Sequence, residues 1–256
     1  MEILSVVSPD DFPFDWYAIA NEKHFWFKSR MDAFMRFAPR YLSLNENLHV
    51  MEIGCGNGLV RKQLENTVGW TVDGCDINEA ALKLNEGLKG KTFLYNIHER
   101  NERFRDLYDA IILFDVLEHI PDSKAFLESI LFHLKPRGIL FINVPALNQY
   151  KSDYDEVVGH VRRYNKKMMD EAFKSLPAKV LGHRYWAMAL LPALIARKKL
   201  VRNKGDIKAV VEKGLQPPNA LLNSLFYSLL KTEKWLFSNP PIGASLMTAI
   251  QKDRYE

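Results

Sequence analysis

Cysteine is scarce in this chain of 256 residues, which contains only Cys55 and Cys75. Two thiols cannot build the disulfide framework of a small secreted fold, and their spacing suits no metal site. Long apolar runs are missing too: no stretch reaches the roughly 18 residues that a spanning helix needs. The acidic start "MEILSVVSPDDFPFDWY" has no basic segment leading into an apolar one, so no secretory signal is read there. The expectation is therefore a reducing, cytoplasmic setting. There is no internal repeat and no low-complexity tract. The net charge of +4 is too mild to argue for nucleic acid, and no zinc pattern or basic stripe interleaved with aromatics supports one. What remains, 47% hydrophobic and 26% charged, is ordinary globular composition. The length suits one large α/β domain with an elaboration.

Five apolar runs punctuate the first 146 residues: "LHVMEI" (48–53), "TVDGCDI" (71–77), "KTFLYNI" (91–97), the start of "YDAIILFDVLEHI" (108–120) and "GILFINVPA" (138–146). Helical spacing lies between them, over Leu59–Leu64, Glu79–Leu88 and Ser123–Leu134. Strand alternating with helix predicts βαβ units, and right-handed crossovers make these a parallel, doubly wound sheet. Beyond 146 the pattern changes. A polar, aromatic connection (148–167) leads to a helix at about 166–175, a sixth strand "AKVLGHRYW" (178–186), two helical segments (187–204 and 219–237) and a final strand within 243–253.

The most informative stretch is "MEIGCGNG" (51–58). Ligands of open parallel sheets bind at the carboxyl ends of the strands, so this loop stands where a cofactor would sit. Gly54, Gly56 and Gly58 give G-x-G-x-G, with Leu59 where the dinucleotide fingerprint has its last glycine, and no Lys-Ser/Thr pair makes a Walker loop. Glu52 is poor company for a pyrophosphate and good company for an ammonium group. Asp76, about 20 residues on, stands where an acid clasps ribose hydroxyls. The set points to a nucleoside carrying an amino acid, although glycines alone also serve tight packing.

Taken in order, "MEIGCGNG", "GCDIN", "YDAIILFDVLEHIPD" and "LKPRGILFINVP" resemble four motifs of the class I S-adenosylmethionine-dependent methyltransferases, type 11/12-like, with Arg137 in place of a usual glycine. The likeness is strong over 45–146 and weak elsewhere. It implies an α/β, Rossmann-like, doubly wound seven-stranded mostly parallel sheet with an N-terminal helical cap and a C-terminal helical insertion. The implied divisions are a cap over 1–44, a core over 45–185 with an acceptor loop at 147–167, an insertion over 186–242, and a returning strand in 243–256. For the cofactor, S-adenosyl-L-methionine, the resemblance implies Glu52, Gly54, Cys55 and Gly56 along the methionine moiety. It further implies Asp76 on the ribose, Ile77 on an adenine face, Asn96 on the adenine amino group, and Phe114 with Asp115 beneath the sulfonium. Arg30, in "EKHFWFKSRMDAF" (22–34), is the candidate for the methionine carboxylate, with Trp26 and His24 closing the lid; the plainer reading is an amphipathic helix covering the sheet.

Three further features remain. Asp115, Glu118 and His119 resemble an acid-x-x-Glu-His arrangement of some O-methyltransferases acting on quinone precursors, where it is thought to bind a cation; His119 as a base and Glu118/His119 as a cap on the next turn are the other readings, and no metal is assigned. "GHVRRYNKK" supplies His160 as a candidate base and Arg162, Arg163 and Tyr164 as candidate acceptor contacts, resembling a "GH-x-RRY" stretch of a bacterial subgroup; a solvated basic loop is the alternative. "YWAMALLPALIA" before "RKKLVRNK" reads as an interfacial helix at a membrane or as packing onto the domain or across a homodimer, with Pro192 interrupting it. "SNPPIG" (238–243) lies outside the fourth strand and ends without an aromatic, so it is not the Asn-Pro-Pro-aromatic motif of adenine amino-methyltransferases. The expected activity is methyl transfer to O or N of a small-molecule, sugar or lipid-linked acceptor. The rivals are an NAD(P)-dependent oxidoreductase and a non-catalytic scaffold.

Overall fold

The computed structural model describes residues 1–7, 21–200 and 218–254. In chain order its strands are β1 (Glu2–Ile3), β2 (His49–Ile53), β3 (Thr71–Asp76), β4 (Thr92–Leu94), β5 (Tyr108–Phe114), β6 (Leu134–Pro145), β7 (Ala178–Trp186) and β8 (Ser245–Lys252). The longer helices are α1 (Phe25–Phe37), α2 (Leu59–Val68), α4 (Ser123–His133), α6 (Lys166–Phe173), α7 (Leu191–Leu200) and α8 (Ala220–Leu236); α3 (Glu79–Leu82) and α5 (Asp153–Val157) are short.

All eight strands form one sheet in the order β1-β4-β3-β2-β5-β6-β8-β7. It is parallel from β1 to β6, and β8 runs antiparallel to both β6 and β7. Strand order reverses between β2 and β5, which opens a crevice at their carboxyl ends. The sheet is covered on both faces, which is why β5 reads as a continuous apolar run. Its Ile111 and Leu113 join Phe126, Leu127 and Ile130 of α4 and Phe173 of α6. Its Ala110, Ile112 and Phe114 face the other way, onto Phe34 and Phe37 of α1 and Leu64 of α2.

Four expectations need correction. The sheet has an eighth strand, because Glu2 and Ile3 pair with Phe93 and Leu94 at the edge; residues 1–44 are thus not all cap, and two residues are too few to show periodicity. The helix expected over 79–88 stops at Leu82, in a stretch that holds a left-handed Gly87 (φ 68°) and a Gly90 pressed onto the Val72 carbonyl. Pro192 does not interrupt a helix: it stands in the first turn of α7, where no intrahelical donor is needed. Trp186, assigned to the insertion, is the last residue of β7. Residues 201–204 of the expected 187–204 helix lie outside the described residues.

Candidate active site

The loop after β2 is tight because three glycines take left-handed backbone angles, at φ 72° (Gly54), 50° (Gly56) and 76° (Gly58). A Cβ on Gly54 would stand 2.4 Å from Cγ2 of Val116 on the turn after β5. The loop is therefore pressed against the crevice floor, with no room for a side chain. Asp76, at the end of β3, accepts from the Gly56 N–H (2.7 Å) and from the Asn78 N–H (2.9 Å). These two bonds fix the orientation of the Asp76 carboxylate. Ile77, next along, is half exposed at the rim.

Glu52 lies buried beneath this loop, and its Oε2 has no hydrogen-bond partner. Burial pushes its carboxyl up to about 8, against the pull of Arg30 and Arg61. A glycine cradle, a ribose-height acid and an orphaned buried carboxylate fit the two polar ends of S-adenosylmethionine. Arg30 projects from α1 into the same crevice; its Nη1 donates to Asp115 Oδ2 and its Nε has no partner. The guanidinium lies over the rings of Phe27 (5.2 Å) and Phe114 (5.3 Å).

Asp115 itself is left-handed (φ 57°) and stitched to β6, accepting from the Asn143 amide at 2.7 Å. Asn143 in turn accepts from the Trp186 indole at 2.8 Å, and Trp186 packs on Trp26 at 4.6 Å between centroids. Trp26 thus belongs to a chain of contacts that seats the cap.

The second cluster lies on the loop after β6. Asp155 is fully buried; although burial opposes it, hydrogen bonds from His160 and Arg163 hold its carboxyl well below the usual range. His160 Nδ1 meets Asp155 Oδ1 at 2.8 Å, which fixes the ring and leaves Nε2 facing Glu118, 3.8 Å from Oε1. Glu118 is fully buried with neither carboxylate oxygen hydrogen-bonded; burial, then the negative charge of Asp115, pushes its carboxyl well up. The rings of His119 and His160 stand 4.8 Å apart. One ligand-capable atom from each of Glu118, His119 and His160 lies within 4.8 Å of the others, an arrangement able to hold an ion.

Several expected roles change. Asp115, expected beneath the sulfonium, accepts from Arg30 and from the Asn143 amide, one bond on each oxygen. Arg163 is buried as the counterion of Asp155, and Arg162 donates from Nη2 to the Pro121 carbonyl on the surface. Tyr164 is buried and bridged by its backbone to Pro145 and Leu147. The thiol side of Cys55 packs with Leu82 and Leu94, and its N–H is taken by the Cys75 carbonyl. Asn96 caps the following turn through its amide oxygen, 3.1 Å from the His98 N–H, leaving one lone pair for adenine. Reading the sequence missed Asp155, Asn143 and Trp186. The Ser152-x-x-Asp155 capping box was the available signal for the first.

Comparison with known proteins agrees with this fold. The model of the methyltransferase domain family matches residues 21–188. The ubiquinone biosynthesis O-methyltransferase of Shewanella sp. is 26% identical over 116 residues, covering 43% of this chain and 48% of that protein. The chain thus spans about half the length of that relative. A structure of the Haloferax volcanii Trm112 methyltransferase activator in complex with a methyltransferase superposes with a TM-score of 0.60 at 17% identity, covering 97% of this chain and 99% of the other. Phosphoethanolamine N-methyltransferase 2 of Haemonchus contortus, solved with S-adenosyl-L-methionine, gives 0.53 at 16%, covering 86% and 52%. The chain belongs to the methyltransferase domain family, within the class I S-adenosylmethionine-dependent superfamily, and S-adenosylmethionine is its cofactor.

Proposed function

We propose that the chain moves a methyl group from S-adenosylmethionine to a hydroxyl oxygen of a small-molecule, sugar or lipid-linked acceptor, with His160 as the base. The observation that carries this is the Asp155–His160 contact at 2.8 Å, beside His119 and Glu118. Bonded at Nδ1 to a carboxylate, His160 is held in the tautomer whose Nε2 is free to accept a proton. In the transfer the C–O bond forms as the S–CH3 bond breaks, the bonding pair stays on sulfur, and the hydroxyl proton passes to His160 Nε2. The donor is already activated, so alignment supplies much of the rate. Glu52 and Arg30 would hold the amino-acid end and Asp76 the ribose. With Arg162 and Arg163 both engaged, a neutral hydroxyl acceptor suits the site better than an anionic one.

The test pairs S-adenosylhomocysteine binding by calorimetry with labelled methyl transfer into fractionated extract. His160→Ala should leave binding within about twofold and cut transfer by roughly a hundredfold or more. Normal turnover in that variant would remove His160 as base. Binding of NADH in place of S-adenosylhomocysteine would restore the oxidoreductase reading, and binding without any transfer would favour a scaffold. A second reading, in which Glu118, His119 and His160 hold a divalent ion that orients the acceptor, rests on their mutual proximity. It expects activity lost to a chelator and restored by added metal; activity indifferent to chelation would end it.

A further inference from the structure

The turn after α3 is folded back onto the glycine loop. Leu84 and Asn85 donate their N–H groups to the Ala81 and Leu82 carbonyls, each at 3.0 Å, so the chain tightens there. The Asn85 side chain then meets the loop after β2. Its Nδ2 donates to the Gly56 carbonyl at 2.6 Å, and a Cβ on Gly58 would stand 2.3 Å from its Oδ1. The third glycine of G-x-G-x-G thus makes room for Asn85.

Asn85 is itself braced from α2. Arg61 is fully buried, and its Nη1 donates to Asn85 Oδ1 at 2.8 Å. Of the two ends of an amide only the oxygen accepts from a guanidinium, so this bond turns the nitrogen toward Gly56. The other Arg61 donors go to the Val72, Gly90 and Lys91 carbonyls and to Thr92 Oγ1, at 2.8 to 3.0 Å. That engages all five N–H groups of the guanidinium. Arg61 is a brace, with no donor left for a ligand.

Gly56 is therefore gripped through both of its amide groups. Its carbonyl accepts from Asn85, and its N–H donates to Asp76 Oδ2 at 2.7 Å. The other oxygen of Asp76 accepts from the N–H of Asn78, the cap of α3. Glycine has no Cβ to hold its left-handed turn at φ 50°, so the orientation of this peptide falls to these bonds. A loop that must be ordered during binding costs affinity, and a preorganised one does not.

We propose that Asn85, braced by Arg61, is a positioning residue for the cofactor: it fixes the Gly56 peptide and, through the Gly56 N–H, the Asp76 carboxylate. The proposal rests on the reading that the glycine loop and Asp76 receive S-adenosylmethionine, and it is independent of the acceptor.

The experiment is calorimetry on the full chain with S-adenosylhomocysteine and with methylthioadenosine, which lacks the amino-acid end. Asn85→Asp keeps the size of the side chain and still accepts from Arg61, but offers the Gly56 carbonyl no donor. It should melt within about 2 °C of wild type. Both ligands should bind it about tenfold more weakly. Asn85→Ala, without the added charge, should show the same loss of affinity. Thr92→Val also takes an acceptor from Arg61 but leaves Gly56 alone, so it should lower the melting temperature and spare both affinities. Wild-type affinity in the two Asn85 variants overturns the proposal, and so does an equal weakening by Thr92→Val. A loss confined to S-adenosylhomocysteine overturns the route through Asp76. Asp76→Asn separates the proposal from the reading beneath it. If that variant weakens both ligands while the Asn85 variants do not, only the proposal fails. If it binds both as wild type does, the site reading fails and the proposal with it.

Discussion

Glu52 shows how one side chain can couple binding to pH. Its folded carboxyl is raised to about 8 by burial, above the roughly 4.3 of an unfolded chain. Between those values the folded state holds the proton that the unfolded state has lost, so stability falls as pH rises through the window. A cofactor ammonium beside Glu52 favours the ionised form, so affinity for S-adenosylhomocysteine should rise over the same window, with proton release. Calorimetry in buffers of different ionisation enthalpy measures that release, and Glu52→Gln should abolish both the release and the pH slope. Release unchanged in that variant would place the proton elsewhere. Arg137 makes a second point. It stands at φ 65°, a left-handed angle that costs an L-residue roughly 1–2 kcal/mol. Arg137→Gly should raise stability by about 0.5–1 kcal/mol in urea melts, part of the relief being offset by a freer unfolded chain. The glycine loop and Asp76 were legible because close backbone approach leaves its record in residue type. Arg163 was not: an arginine beside polar neighbours reads as surface, and only the buried turn that brings Asp155 to it reveals its place.

At the scale of elements, apolar runs buried on both faces were easy to read, and β2, β3, β5 and β7 lie where expected. Elements set by contacts distant in sequence were not readable: β1 exists because β4 offers an edge. The loop from Ser152 to Tyr164 is an element of this second kind. Asp155 accepts from His160, from Arg163 and from the Ser152 N–H (2.8 Å) at its centre. Removing one side of a buried charge pair commonly costs about 3–5 kcal/mol. Asp155→Asn, which keeps the shape and one acceptor oxygen, should lose the lower part of that range by thermal melt, lower methyl transfer, and leave S-adenosylhomocysteine binding intact. Equal loss of binding and transfer would mean that the loop and the cofactor site fold as one unit.

The molecule as a whole depends on its last strand. β7 has one neighbour in the sheet, β8, and β8 is also paired along β6 from Ile139 to Pro145. The chain must therefore be present to residue 252 before β7 and β8 can join the sheet, and these long-range pairings carry the loop-closure entropy of every element between them. Lys252 fastens that closure. It is buried, and its Nζ donates to Asp106 (2.7 Å) and to the Leu131 (2.6 Å) and Leu134 (2.8 Å) carbonyls. Lys252→Ala strands those acceptors, and at roughly 1.5–3 kcal/mol for a bond to a charged group the loss should be about 3 kcal/mol. Removing residues 243–256 goes further, because Trp186 and Asn143 then lose the strand that holds β7 against β6, and with it the contacts that seat Trp26 and the cap. That truncation should melt without a cooperative transition and fail to bind S-adenosylhomocysteine, read by near-ultraviolet circular dichroism and calorimetry. A cooperative melt with binding intact would show that the six parallel strands fold without β7 and β8, with the cofactor site belonging to those six.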